Sequence, residues 1–145
     1  HRPANVFVAG FIGSPPMNFF SCVLEDDGET MTGACGEIRF QLPAGRVTPR
    51  MRSAAGQTVI AGIRPEHLFV TKDLAQPHLW EASVKIVEVL GLEQRITFDM
   101  AGSECTARID CTEKFFVGDA IAVQVESSAF HFFDGTTEEN ISLLS

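Results

Sequence analysis

The 145-residue sequence has no tyrosine, one tryptophan and three lysines, Lys72, Lys85 and Lys114. No glycine precedes any of these lysines, so the GxxxxGK(S/T) loop that cradles nucleotide phosphates is absent. GxSxG, HExxH and GxGxxG are absent as well. Positive charge is scarce: 11 Lys and Arg stand against 19 Asp and Glu, giving a net charge of −8. Long-range attraction to phosphate backbones or anionic lipid is therefore not expected. Single-stranded nucleic acid needs aromatic platforms on a basic groove, and a net charge of −8 with one Trp and no Tyr suits that poorly, so no nucleic-acid partner is expected. The four cysteines, Cys22, Cys35, Cys105 and Cys111, form no CxxC and have no histidine at a zinc-finger offset. They are expected to be reduced and buried as small hydrophobes, which points to the cytosol. No apolar run approaches the ~18 residues of a membrane-spanning helix, and no signal peptide is recognisable. The chain begins at His1 and reads as a fragment of something longer.

What is present is a globular composition, 45% hydrophobic with a mean hydropathy of +0.11, in a length that suits one domain. Phe7 and Phe11, with Val8 and Ile12, share one face of a short helix over residues 5–12, closed by Gly13-Ser14-Pro15-Pro16. Residues 17–24 and 30–34 predict a hairpin around Asp26-Asp27-Gly28, with a further strand over 38–42. The acidic tip lacks the ligand spacing of an EF-hand and reads as a solvated turn. Residues 43–57, rich in Gly, Pro, Arg and Ser, read as a loop in which Arg46, Arg50 and Arg52 face solvent or an acidic partner.

The second half alternates regularly. Trp80, Ala82, Val84 and Ile86 point inward, a bulge is expected around Glu88 before Gly91, and Ile96, Phe98 and Met100 face the core. Cys105, Ala107 and Ile109, then Ile121, Val123 and Val125, continue the pattern. His131 falls on the strand face opposite Phe130 and Phe132 and is expected at the surface. Short strands about every ten residues predict an all-β barrel or sandwich, with helix confined to the start.

The centre of the chain is TVIAGIRPEHLFV, residues 58–70. Pro65 has no N–H and should end a strand, holding Arg64 extended beside Glu66 and His67. That cluster suits either an anion or backbone-carbonyl grip or a local ion pair fixing a β-corner, and the ion pair is the commoner use. Asp110 and Glu113 are a carboxylate pair in a turn, which reads as a hairpin end. No catalytic site and no metal pattern emerges.

Four stretches in order, RPANVFVAGFIGSPPMNFF, VIAGIRPEHLFV, VEVLGLEQ and HFFDGTT, resemble the C-terminal regulatory region of the ATPase subunits of carbohydrate-type ABC importers, the maltose and glycerol-3-phosphate family. The resemblance runs from Arg2 to about Thr137. It implies an OB-fold-like antiparallel β-barrel with a small accessory sheet and a short N-terminal helix. Residues 1–14 would then be the junction with a missing ATPase domain, and 15–145 the OB-like regulatory domain, the transport-associated OB module. It further implies a non-catalytic regulatory and dimerisation role for a sugar or sugar-phosphate importer, on the cytoplasmic face of a bacterial inner membrane. The implied partners are a second copy, the membrane subunits and a regulatory protein, with ATP and Mg in the missing domain and no cofactor in this one. By the same resemblance Phe19, Gly56, Glu88 and Gly91 match neighbourhoods of dimer contact or regulation, and Arg64, Glu66 and His67 are carried with them. The alternative is a stand-alone OB-like module that binds a small anion or sugar, with Arg64 and His67, or Arg46 and Arg50, lining its pocket.

Overall fold

Among the described residues eleven strands follow one another in antiparallel pairs, as the period-two patterning requires. The computed structural model describes residues 17–143, and the 5–12 helix expected from the sequence lies outside them. The strands are β1 (Asn18–Asp26), β2 (Met31–Cys35), β3 (Ile38–Leu42), β4 (Thr58–Ile63), β5 (Leu68–Thr71), β6 (Trp80–Ser83), β7 (Ile86–Leu90), β8 (Glu93–Met100), β9 (Ser103–Asp110), β10 (Ala120–Val125) and β11 (His131–Asp134). They form a five-stranded sheet in the order β11-β4-β1-β2-β3 and two three-stranded sheets, β5-β10-β6 and β7-β8-β9. One apolar cluster links all three sheets, with Leu24, Ile63, Ile96, Phe98, Ile121 and Phe132 buried in it. The architecture is an OB-like, all-β fold.

The expected hairpins form. Asp26 accepts from the Gly28 N–H at 3.0 Å and Asp27 from the Thr30 N–H at 2.7 Å, so the acidic tip is spent on its own turn. Met100 pairs with Ser103 across Ala101-Gly102, both at positive φ (54° and 79°), the conformation of a type I′ turn. Gly62 does not interrupt its strand. A Cβ there would lie 2.5 Å from Met17 Sδ and 3.1 Å from the Phe133 ring, so the glycine makes room for both. Asp110 accepts from the Thr112 N–H and Glu113 from the Lys72 N–H in the turn after β9, which is not the hairpin end expected, because β10 pairs with β5 and β6 and not with β9.

Five further expectations are corrected. Residues 43–57 are not all loop: Thr48 caps a short helix, α1 (Pro49–Ser53), its hydroxyl accepting from the Met51 N–H at 3.1 Å while Met51 is buried. Thr followed by Pro at the first helical position is the sequence signal for it. No bulge occurs at Glu88, because β7 pairs with β8 in unbroken register from Ile86↔Thr97 to Leu90↔Glu93. The chain instead breaks at Val84-Lys85, passing from the β10 neighbour to the β8 neighbour, with the Val84 N–H donating to Asp119 and the Lys85 N–H to Thr97. That crossing resets the alternation and leaves Ile86 exposed on an edge strand. His131 is buried, not at the surface, because the chain returns after β11 and sets Asn140 Nδ2 at 3.4 Å from His131 Nδ1. Cys22, Cys35 and Cys105 are buried as expected, but Cys111 is exposed in the turn after β9.

Candidate functional site

The 3-10 turn Pro65–His67 joins β4 to β5, and Pro65 at its first position ends the preceding strand. Arg64 is extended (φ −76°, ψ 150°), so its side chain leaves the sheet at this corner. The turn packs against β9 of the β7-β8-β9 sheet.

The local ion pair expected within Arg-Pro-Glu-His does not form. His67 Nδ1 instead meets Glu126 Oε2 at 2.9 Å, a contact between residues 59 apart in sequence. Glu126 precedes a second 3-10 turn, Ser127–Ala129, and its N–H donates to the His67 carbonyl at 3.1 Å. The two turns are thus locked together. Between them, and beside the 3-10 turn Ala44–Arg46, lies an open hollow of about 500 Å³ lined by Arg46, Arg64, Glu66, His67, Glu126 and Ser128. Arg46 directs one guanidinium nitrogen at the Phe130 carbonyl, 3.4 Å away. The other arginines of the 43–57 stretch are used internally: Arg50 pairs with Glu139 at 2.9 Å and Arg52 with Asp26 at 3.1 Å.

The structure therefore brings Arg64, Glu66 and His67 together, joins to them Arg46 but not Arg50 of the other expected pair, and adds Glu126 and Ser128. No local sequence signal marks these additions, because they arrive from turns far apart in the chain. The remaining candidates lie elsewhere. Phe19, on β1, is half-buried edge-to-face with Phe133 at 6.0 Å. Gly56, at φ 84°, ends the α1 segment and donates its N–H to the Leu24 carbonyl at 2.8 Å. Glu88 and Gly91 belong to the β7–β8 hairpin, where Gly91 (φ 66°) takes the first of two turn positions. That hairpin carries Ile86, Val89, Leu90 and Leu92 exposed, with Leu92 at 89%. Among the described residues no group of three or more His, Cys, Asp or Glu is placed to hold a metal ion. Among them, too, no helix is long and apolar enough to cross a membrane.

Comparison with known proteins follows the same lines. Residues 13–68 match the MalK OB fold domain and residues 61–133 the TOBE domain. The chain is 37% identical to the ABC transporter ATP-binding protein YurJ of Bacillus subtilis, over 97% of its own length and 39% of the relative's. It is 36% identical to the oligosaccharides import ATP-binding protein MsmX of Bacillus subtilis, over 96% of this chain and 38% of that one. It is 35% identical to the sn-glycerol-3-phosphate import ATP-binding protein UgpC of Burkholderia lata, over 94% and 37%. The chain thus spans less than two-fifths of the length of these curated relatives. In fold it is similar to the cytoplasmic molybdate-binding protein ModG, with a TM-score of 0.60 at 17% identity, over 79% of this chain and 94% of that one. The chain belongs to the MalK OB-fold and TOBE domain family, whose relatives include the ATP-binding proteins of sugar ABC importers.

Proposed function

We propose that this chain is the non-catalytic regulatory and dimerisation domain of the ATP-hydrolysing subunit of an ABC importer for a sugar or sugar phosphate such as glycerol 3-phosphate. The observation that carries the reading is similarity along nearly the whole chain to import ATP-binding proteins of which it spans only 37–39%. The phosphate-binding loop is absent from these 145 residues. In this reading ATP and Mg bind outside this chain, in the same polypeptide. The assembled subunit sits peripherally on the cytoplasmic face of a bacterial inner membrane, against the membrane subunits, and a regulatory protein reads its state.

A second copy is the remaining partner. The exposed Val89, Leu90 and Leu92 of the β7–β8 hairpin, flanking Gly91, offer an apolar surface of the kind that marks protein contacts. The test is to read the coding sequence upstream of His1. An in-frame GxxxxGK(S/T) followed by an ABC signature supports the reading, and a frame that opens directly at this domain removes it.

One observation favours the second reading, a stand-alone module that binds a small anion or sugar. Arg46, Arg64 and His67 share a single hollow, as such a module requires.

A further inference from the structure

Four of the seven arginines among the described residues are matched by carboxylates. Arg39 pairs with Glu25, Arg50 with Glu139, Arg52 with Asp26 and Arg108 with Glu93. Among the described residues Arg46, Arg64 and Arg95 form no ion pair, and two of these three open into the same hollow. The Arg64 guanidinium has no hydrogen-bond partner among the described residues either, its backbone carbonyl alone being engaged, by the His67 N–H at 3.0 Å. In a chain of net charge −8, two guanidiniums in one concavity that make no ion pair among the described residues are the exception.

A guanidinium presents a planar fork of N–H donors that matches the oxygens of phosphate. The same hollow also carries acceptors: the Glu66 carboxylate, the Glu126 carboxylate held by His67, and the Ser128 hydroxyl. Inorganic phosphate alone would engage the guanidiniums but bring no polyol hydroxyls to the two carboxylates. A neutral polyol alone would leave both guanidiniums without a counter-charge. A phosphate monoester of a polyol or sugar satisfies both halves, and the volume of about 500 Å³ lies within the usual range for small-molecule sites.

We propose that the hollow between the Ala44–Arg46, Pro65–His67 and Ser127–Ala129 turns binds a phosphorylated polyol or sugar. Arg46 and Arg64 hold the phosphate oxygens, and Glu66 and Glu126 accept from the hydroxyls. The site is built wholly from this chain. It goes beyond the importer reading and does not depend on it.

The experiment is calorimetric titration of this chain with glycerol 3-phosphate and glucose 6-phosphate, set against inorganic phosphate and glycerol. Saturable binding of at least one ester is expected, with inorganic phosphate and glycerol weaker by about tenfold or more. R64Q and R46Q should each weaken ester binding by about ten- to a hundredfold, the loss of a charge-assisted hydrogen-bond pair. R39Q, whose partner Glu25 lies outside the hollow, should bind as the unsubstituted chain does. Thermal unfolding of each variant separates lost binding from lost fold. No heat from either ester at about 10 mM, the millimolar limit of useful affinity, overturns the proposal. So do unchanged binding in folded R64Q, and inorganic phosphate binding as tightly as the esters. None of these outcomes bears on the importer reading, which the upstream coding sequence decides.

Discussion

The side-chain amide of Asn18 bonds the backbone of Thr106 in both directions. Its Oδ1 accepts from the Thr106 N–H at 2.8 Å, and its Nδ2 donates to the Thr106 carbonyl at 3.0 Å. A second Nδ2 contact reaches the Ile63 carbonyl at 3.3 Å. One buried side chain thus imitates a strand partner and ties β1 of the large sheet to β9 of another.

Removing that amide leaves a donor and acceptors without their partners at a buried junction. Asn18→Ala should destabilise the domain by about 1–3 kcal/mol, the cost of leaving such groups unpaired. Urea unfolding followed by circular dichroism measures it, and an unchanged midpoint would show that water replaces the amide without loss.

Gly135 follows β11, and a Cβ there would lie 2.4 Å from the Thr58 carbonyl oxygen. The obstacle is backbone, which cannot swing aside as a side-chain end can. Gly135→Ala should therefore cost about 1–3 kcal/mol. Gly45→Ala is the control, since a Cβ there meets nothing within 4 Å. It should stay within about 0.5 kcal/mol of the parent.

Of the four cysteines only Cys111 is exposed, so native protein should show one fast-reacting thiol and release the others on unfolding. The Cys35 thiol beside Cys22, and then burial, push the Cys22 thiol up. Burial pushes Cys105 up to about 12 from an ordinary 9.0. Both groups stay protonated in the fold at a pH where the unfolded chain has begun to lose those protons. Their contribution is whole below about pH 9 and is lost as pH rises toward 12. Chemical unfolding between pH 8 and pH 11 should show a falling midpoint, and Cys105→Ala should flatten part of that fall.

The acid limb runs the other way. The Gly28 N–H and then Arg52 hold Asp26 below the usual 3.8, the Thr30 N–H does so for Asp27, the Thr112 hydroxyl for Asp110 and the Thr137 N–H for Asp134. Depressed carboxyls stabilise the fold above their unfolded pKa, and that stability is lost as pH falls through their lower folded values. Unfolding midpoints should drop below about pH 4, and added salt should shrink the Asp26 share because its pairing with Arg52 is exposed.

Much of this fold is written in local pattern. The strand over 38–42 is found at those residues, Asp27-Gly28 makes its hairpin, and Pro65 ends β4 and leaves Arg64 extended. Ile121, Val123 and Val125 point inward as their alternation requires. The misreadings arise where tertiary structure overrides period. Ile86 is exposed because its strand changes neighbours at Val84-Lys85, and His131 is buried because Asn140 returns over it. The hollow was half visible. Arg64, Glu66 and His67 are contiguous, but Glu126 and Arg46 reach them only through the docking of separate turns, which no local spacing encodes.

Pairing of this regulatory domain with its own copy is measured by sedimentation equilibrium of this chain across a wide concentration range. A reversible monomer–dimer equilibrium is expected, shifted to monomer when Val89 and Leu92 are both replaced by glutamate on the exposed β7–β8 hairpin. A dimer untouched by V89E/L92E would move the interface off that hairpin. A single monomeric species at every concentration would show that this domain does not pair with its own copy.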